Sequence, residues 1–148
     1  MSRMQQPEIL LVEDSQTDAE LVLRALALKH LDNRVVWVKD GAEALDYLFC
    51  QGAYSERPQI NPCFMLLDLK MPKMNGTDVL RRLKSDEQMK IIPVVMLTSS
   101  AEEKDMVQSY QLGANSYIVK PVAFDKFMSV IPDAVCYWGT VNQLPHSA

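Results

Sequence analysis

Five short apolar runs, 9–12, 35–38, 63–67, 94–97 and 117–119, set the tightest limit on what this chain can fold into, because none of them alternates with polar residues. A strand with one wet face alternates; a continuous run bounded by polar residues fits a strand buried on both faces, and such strands belong to parallel sheets covered by helices on each side. The intervening segments have helical spacing. Ser15-Gln-Thr-Asp18 resembles a capping arrangement opening a first helix, whose inner face carries Leu21, Val22, Ala25, Leu26 and Leu28. Further helices are predicted over 42–49, 79–83 and 106–112, the last introduced by Ser100-Ala-Glu-Glu103 as a capping box. Phe124, Phe127, Met128 and Ile131 stand at i, i+3, i+4 and i+7 and mark a fifth helix. Pro132 lacks the N–H that would reach the Met128 carbonyl, so a kink or break is predicted there.

Strand and helix therefore alternate five times. Right-handed crossovers then favour an α/β architecture: a doubly wound five-stranded parallel sheet in a three-layer αβα sandwich. The 148 residues suit one domain, since a chain of that size buries about 70% of its unfolded surface. Residues 50–62 hold Gly, Ser, two Pro, Asn and charges, and read as a surface loop longer than the about 2–6 residues usual between helix and strand.

In doubly wound sheets function gathers at the carboxyl ends of the strands. Glu13 and Asp14 end the first run, Asp68 the third, Thr98 the fourth and Lys120 the fifth. Taken singly, an acid at a strand end is usually a helix cap, and a Lys before Pro a solvated loop charge. Taken together, they bring three carboxylates close enough to repel unless one is protonated or a cation intervenes. Mg²⁺ suits such oxygen ligands, keeps several waters and commonly joins one or two carboxylates to a phosphoryl group. The Lys120 ammonium and the Thr98 hydroxyl can meet phosphoryl oxygens. The pattern describes a phosphoryl site with Asp68 as nucleophile.

The net charge of −4, with no Lys/Arg run, disfavours nucleic-acid binding. Cys50, Cys63 and Cys136 are odd in number and widely spaced, which indicates neither a disulfide framework nor a zinc site. No secretory h-region is visible and no apolar stretch approaches the about 18 residues of a membrane span, so a cytoplasmic protein is expected. The sequon Asn75-Gly-Thr77 is then a chance match.

Leu11-Val-Glu-Asp14, Leu67-Asp-Leu-Lys-Met-Pro72 with Asn75-Gly76 behind it, Leu97-Thr-Ser-Ser100 and Tyr117-Ile-Val-Lys-Pro121 resemble the motifs of response-regulator receiver domains of two-component signalling, over residues 8 to about 131. The resemblance implies the flavodoxin-like (β/α)5 receiver fold, with Asp68 as phosphoacceptor taking its phosphoryl group from a sensor histidine kinase. It further implies that Asp14, Asp68 and the Lys70 carbonyl hold Mg²⁺, with Glu13 acting mainly through water. Glu13 stands where Asp is commoner in the family, and its longer reach leaves the coordination open. Lys120 would bind a phosphoryl oxygen, and the Lys120–Pro121 bond is expected to be cis, aiming the ammonium inward. Thr98 and Tyr117 would be the switch pair that biases the surface of helix 4, strand 5 and helix 5. Lys70 and Ser100 fall where the family tunes the lifetime of the acyl phosphate.

Residues 132–148 read as a C-terminal extension too short for an output domain, so the chain is expected to signal through partner contact, phosphate relay or dimerisation. Tyr137 and Trp138 either complete the core of the fifth helix or belong to an interface. The long loop and this tail also resemble single-domain regulators linked to cyanobacterial phytochromes. That second resemblance implies a phytochrome-type kinase and a homodimer formed through the helix 4, strand 5 and helix 5 face with help from the tail. Two rival classes remain. A haloacid-dehalogenase-type phosphatase, which also forms an aspartyl phosphate, needs a second acid two residues after the nucleophile, where this chain has Lys70. A flavodoxin-like cofactor binder needs a hydroxyl-rich phosphate loop where this chain has Glu13-Asp14. A signalling protein rather than an enzyme is expected.

Overall fold

The computed structural model describes residues 8–121 and 123–138. Five strands, β1 (Ile9–Val12), β2 (Val35–Val38), β3 (Phe64–Leu67), β4 (Val94–Thr98) and β5 (Ser116–Val119), form one parallel sheet in the order β2-β1-β3-β4-β5. The helices are α1 (Gln16–Ala27), α2 (Gly41–Leu48), α3 (Gly76–Lys84), α4 (Glu103–Gln111) and α5 (Phe124–Cys136). Every residue of β1, β3 and β4 is buried, whereas the edge strands β2 and β5 are only partly so. The runs at β1, β3 and β4 thus meet the environment they predict, whereas those at β2 and β5 lie at the sheet's edges and are not fully covered on both faces.

Side chains of successive strand residues leave the sheet on opposite faces. Leu10, Val12, Met65, Leu67, Val94 and Met96 pack with Ala44, Leu48, Val79, Leu80 and Leu83 of α2 and α3. Ile9, Leu11, Phe64, Leu66, Val95 and Leu97 pack with Ala19, Val22, Ala25 and Leu26 of α1 and with Phe127, Ile131 and Val135 of α5. Two cores therefore share one sheet, and burial of each large aliphatic side chain contributes about 1.5–3 kcal/mol. α4 differs. Its single buried residue is Ser109, whose hydroxyl finds no hydrogen-bond partner among the described residues.

Three helices begin with side-chain caps in the connections that follow strands: Ser15 accepts from Asp18 N, Asp40 from Glu43 N and Asn75 from Asp78 N. Their amino termini, with the positive ends of their dipoles, lie at the carboxyl end of the sheet.

Several sequence expectations need correction. Leu28 is 62% exposed, because α1 ends at Ala27 and the next residue turns away from the core. Ser100 does not cap α4: Glu102 occupies that position without a side-chain bond, and the Ser100 hydroxyl accepts from Glu102 N and donates to Asp105. α5 runs through Pro132 to Cys136 rather than breaking there. Burial of Ile131 and Val135 against the sheet and α1 offsets the missing backbone bond. No helix among the described residues is long and apolar enough to cross a membrane.

The long loop after α2 is fastened rather than loose. Arg57 lies 3.8 Å over the Tyr47 ring and donates to the Tyr47 carbonyl at 2.9 Å and to the Ile60 carbonyl at 2.5 Å. Tyr54 packs edge-on against Tyr47 and donates to Glu43 at 2.6 Å. Tyr47 in turn donates to Glu8, just ahead of β1. Tyr137 is 48% exposed, while Trp138 packs partly against the α1/α5 core and makes an edge contact with Tyr137 at 5.1 Å. The tail segment 141–145 lies outside the described residues.

Candidate functional site

The ladder continues one residue past β1, β3 and β5. Glu13 N donates to Val38 O and Asp68 N to Val12 O, both at 3.1 Å, and Lys120 N donates to Thr98 O at 2.7 Å. Acids and base are thus carried on the most rigid part of the fold. Carboxylate oxygens of Glu13, Asp14 and Asp68 all lie within 4.8 Å of one another. Glu13 is 1% exposed and Asp68 8%, while Asp14 is open to solvent.

Lys120 reaches into this cluster with its side chain only 9% exposed. Its Nζ donates to Glu13 Oε1 at 2.7 Å and to Asp18 Oδ2 at 2.8 Å, and stands 3.7 Å from Asp68 Oδ2. No cis peptide bond occurs among the described residues, so the Lys120–Pro121 bond is trans, contrary to the sequence expectation. A proline bond leaves the two isomers within about 1 kcal/mol. The ion pairs to Glu13 and Asp18 hold the ammonium inward without the cis isomer.

The electrostatics follow from this crowding. Burial pushes Glu13 up from 4.5 to about 7, against the hydrogen bond from Lys120 and with help from the nearby Asp68 charge. Burial also raises Asp68, although the Lys120 charge pulls the other way. Burial alone would lower Lys120, but hydrogen bonds to Asp18 and Glu13 and the charge of Asp68 raise it. The three acids carry more negative charge than one ammonium can offset. Hard oxygen donors, a solvent-open Asp14 and this surplus of charge fit a divalent cation that keeps part of its water.

Thr98, 1% exposed, ends β4, and its hydroxyl accepts from Ser100 N at 3.2 Å. Tyr117 is half-buried and donates to the Ser100 carbonyl at 3.0 Å; burial raises its pKa. The Ser100 main chain therefore joins the predicted switch residues. Ser100 and Lys70 meet at Asp105, the first through its hydroxyl and the second by an ion pair of 3.7 Å. Lys70 is solvent-exposed, so position 70 places no second acid beside Asp68. Asp68 backs onto Gly76, whose N–H donates to Leu69 O at 2.7 Å.

Sequence reasoning missed Asp18, Asp105 and Trp37 as parts of the site. Trp37 Nε1 donates to the Glu13 carbonyl at 2.8 Å. For Asp18 the local signal pointed elsewhere. An acid three residues after a Ser cap normally returns to the cap's own N–H, but Ser15 N here donates to Glu13 Oε2 at 3.2 Å. Asp18 is thereby left to Lys120.

A family model described as the response regulator receiver domain matches residues 9–132. Response regulator Rcp1 of Synechocystis sp. is 36% identical over 137 residues, covering 93% of this chain and 92% of its own length. A crystal structure of the Mn²⁺-bound form of Rcp1 aligns with a TM-score of 0.84 at 34% identity, over 94% of this chain and 99% of that one. The phosphorylated cyanobacterial phytochrome response regulator RcpA aligns with a TM-score of 0.88 at 38% identity, over 95% and 99% of the two chains. The bacteriophytochrome response regulator RtBRR is 50% identical, with a TM-score of 0.77 over 96% of this chain and 86% of its own. Similarity of this degree extends over the whole described fold.

Proposed function

Since the chain belongs to the response-regulator receiver family, we propose that Asp68 accepts a phosphoryl group from a phosphohistidine of a sensor histidine kinase. One observation carries this reading: the Lys120 ammonium and two further carboxylates converge on the buried Asp68 at the end of β3. An Asp68 oxygen forms the new bond to phosphorus as the P–N bond breaks, and the departing imidazole nitrogen keeps the electron pair and takes a proton. The product is an acyl phosphate.

Asp14, Asp68 and the Lys70 carbonyl would hold Mg²⁺, with Glu13 acting mainly through water, and the ion when bound would supply charge compensation for the carboxylates and the incoming phosphoryl oxygens. The Mn²⁺-bound form of Rcp1 supports a divalent ion at such a cluster. Lys120 orients and neutralises a phosphoryl oxygen. Thr98 donates to another, and its movement lets Tyr117 turn inward and changes the α4–β5–α5 surface. The bond from Tyr117 to the Ser100 carbonyl is the link that would open. Lys70 and Ser100, both tied to Asp105, govern water access and hence acyl-phosphate lifetime. Replacing either with Ala or Asn should change the rate of phosphate loss.

The kinase is a phytochrome-type sensor in this reading, supported by the similarity to RcpA and RtBRR. Residues 8–131 form the receiver core in this reading, close to the span of the family model. The chain acts in the cytoplasm as a homodimer through the α4–β5–α5 face, with no nucleic-acid partner. Exposed Val107 and Tyr110 on α4 and Val119 on β5 support that face, with Tyr137 just past the end of α5.

Incubation with acetyl phosphate and Mg²⁺ tests the assignment. Wild type should acquire an alkali-labile, acid-stable phosphate and Asp68→Asn should not. Equal labelling of the two proteins would sink it.

A further inference from the structure

Asp18 makes one of the two shortest contacts to Lys120, yet phosphoryl acceptance at Asp68 gives it no task. We propose that Asp18 is a positioning residue that holds Lys120 in the resting state and competes with the phosphoryl group for its ammonium. The proposal rests on Asp68 being the phosphoacceptor.

The geometry supports a competition. A Lys ammonium has three donors. Two are spent on Glu13 at 2.7 Å and Asp18 at 2.8 Å, while Asp68 Oδ2 waits at 3.7 Å, beyond hydrogen-bond reach. The two holders are not equivalent. Glu13 is buried on the β1 end and also accepts from Ser15 N. Asp18 sits on the first turn of α1 with its side chain 35% exposed, so water can replace Lys120 there at little penalty. When the charge at Asp68 grows, Asp18 is therefore the partner that Lys120 gives up. Its carboxylate raises the threshold for loading Asp68, and its release leaves the first turn of α1 with an unpaired acid.

Trifluoroberyllate, which mimics the phosphoryl group on an aspartate, provides the probe, with saturating Mg²⁺ and bound ¹⁹F signals as the readout. Asp18→Asn should tighten binding by roughly two- to five-fold, the scale of a partly exposed ion pair, and Asp18→Glu should return it toward wild type. In a Lys120→Met background, Asp18→Asn should have no effect. An unchanged affinity in Asp18→Asn, or the same gain with and without Lys120, would overturn the proposal, the latter because plain charge repulsion would then explain it. A second measurement needs no Lys120 variant: the Lys120 ¹⁵Nζ resonance of the resting protein should move on Asp18→Asn, and a fixed resonance contradicts the pairing. Failure of wild type to bind trifluoroberyllate would remove the phosphoacceptor reading itself, and this one with it.

Discussion

Gly76 lies so close to Asp68 that a Cβ on it would stand 2.2 Å from the Asp68 carbonyl oxygen and 3.0 Å from Leu69 Cα. Both obstacles are backbone, so neither can swing aside. Gly76→Ala should force the first turn of α3 away from the end of β3 and cost about 1–3 kcal/mol, the range of overpacked interiors. Urea unfolding measures it. The same variant should label more slowly with acetyl phosphate, because Asp68 shares the displaced backbone; unchanged stability and labelling would mean that the loop yields freely.

The raised pKa of Glu13 gives the metal-free protein a defined pH response. Burial lifts Glu13 from 4.5 to about 7 and raises Asp68 in the same direction. An acid with a raised folded pKa binds more protons in the native state, so its contribution is fully present below pH about 4.5 and is lost as pH rises to about 7. Divalent binding should run the other way, releasing a proton near pH 7 and weakening as pH falls and Glu13 becomes protonated. Calorimetry of Mg²⁺ binding in buffers of different ionisation enthalpy would reveal the linked proton; identical heats after buffer correction would contradict it.

Trp37 should report the site optically. Its indole N–H holds the Glu13 carbonyl at 2.8 Å, so any ion that shifts Glu13 perturbs the ring. Emission should change on addition of Mg²⁺ in wild type and in Trp138→Phe, and stay constant in Trp37→Phe. The reverse pattern would place the sensitivity in α5.

Arg57→Ala should release the loop after α2. It removes a guanidinium stacked on Tyr47 and two bonds to main-chain carbonyls, together worth about 2 kcal/mol. Hydrogen exchange across residues 50–62 should accelerate while β1 and β3 stay protected. Equal protection in both proteins would show that Tyr54 and Glu43 suffice to hold the loop.

The sequence was most readable where burial is symmetrical. Runs such as 9–12 and 94–97 have apolar neighbours on both faces, so composition alone announces β1 and β4, and the residue that follows each inherits a place at the sheet's end. Glu13, Asp68 and Thr98 were legible for that reason, and Lys120 from the apolar run of β5 that precedes it. Local rules failed where a distant partner decides. The cap pattern at Ser15 suggested that Asp18 serves its own helix, but Glu13 takes the Ser15 N–H and Lys120, far along the chain, takes Asp18. Pro132 suggested a kink or break because a single helix was considered, whereas α5 runs on through it with α1 and the sheet packed against Ile131 and Val135. Leu28 matched the helical stripe but fell one residue past the end of α1.

α4 has a single buried residue, Ser109, whose hydroxyl is left without a partner among the described residues. Every other helix is anchored by several aliphatic side chains, which no small chemical event could dislodge. A helix with so shallow a footing can be re-seated by a force as small as one hydrogen bond changing hands, such as that of Tyr117. On the proposed reading, a change at Asp68 would therefore be taken up at α4, the helix with the shallowest footing, rather than across the rest of the scaffold.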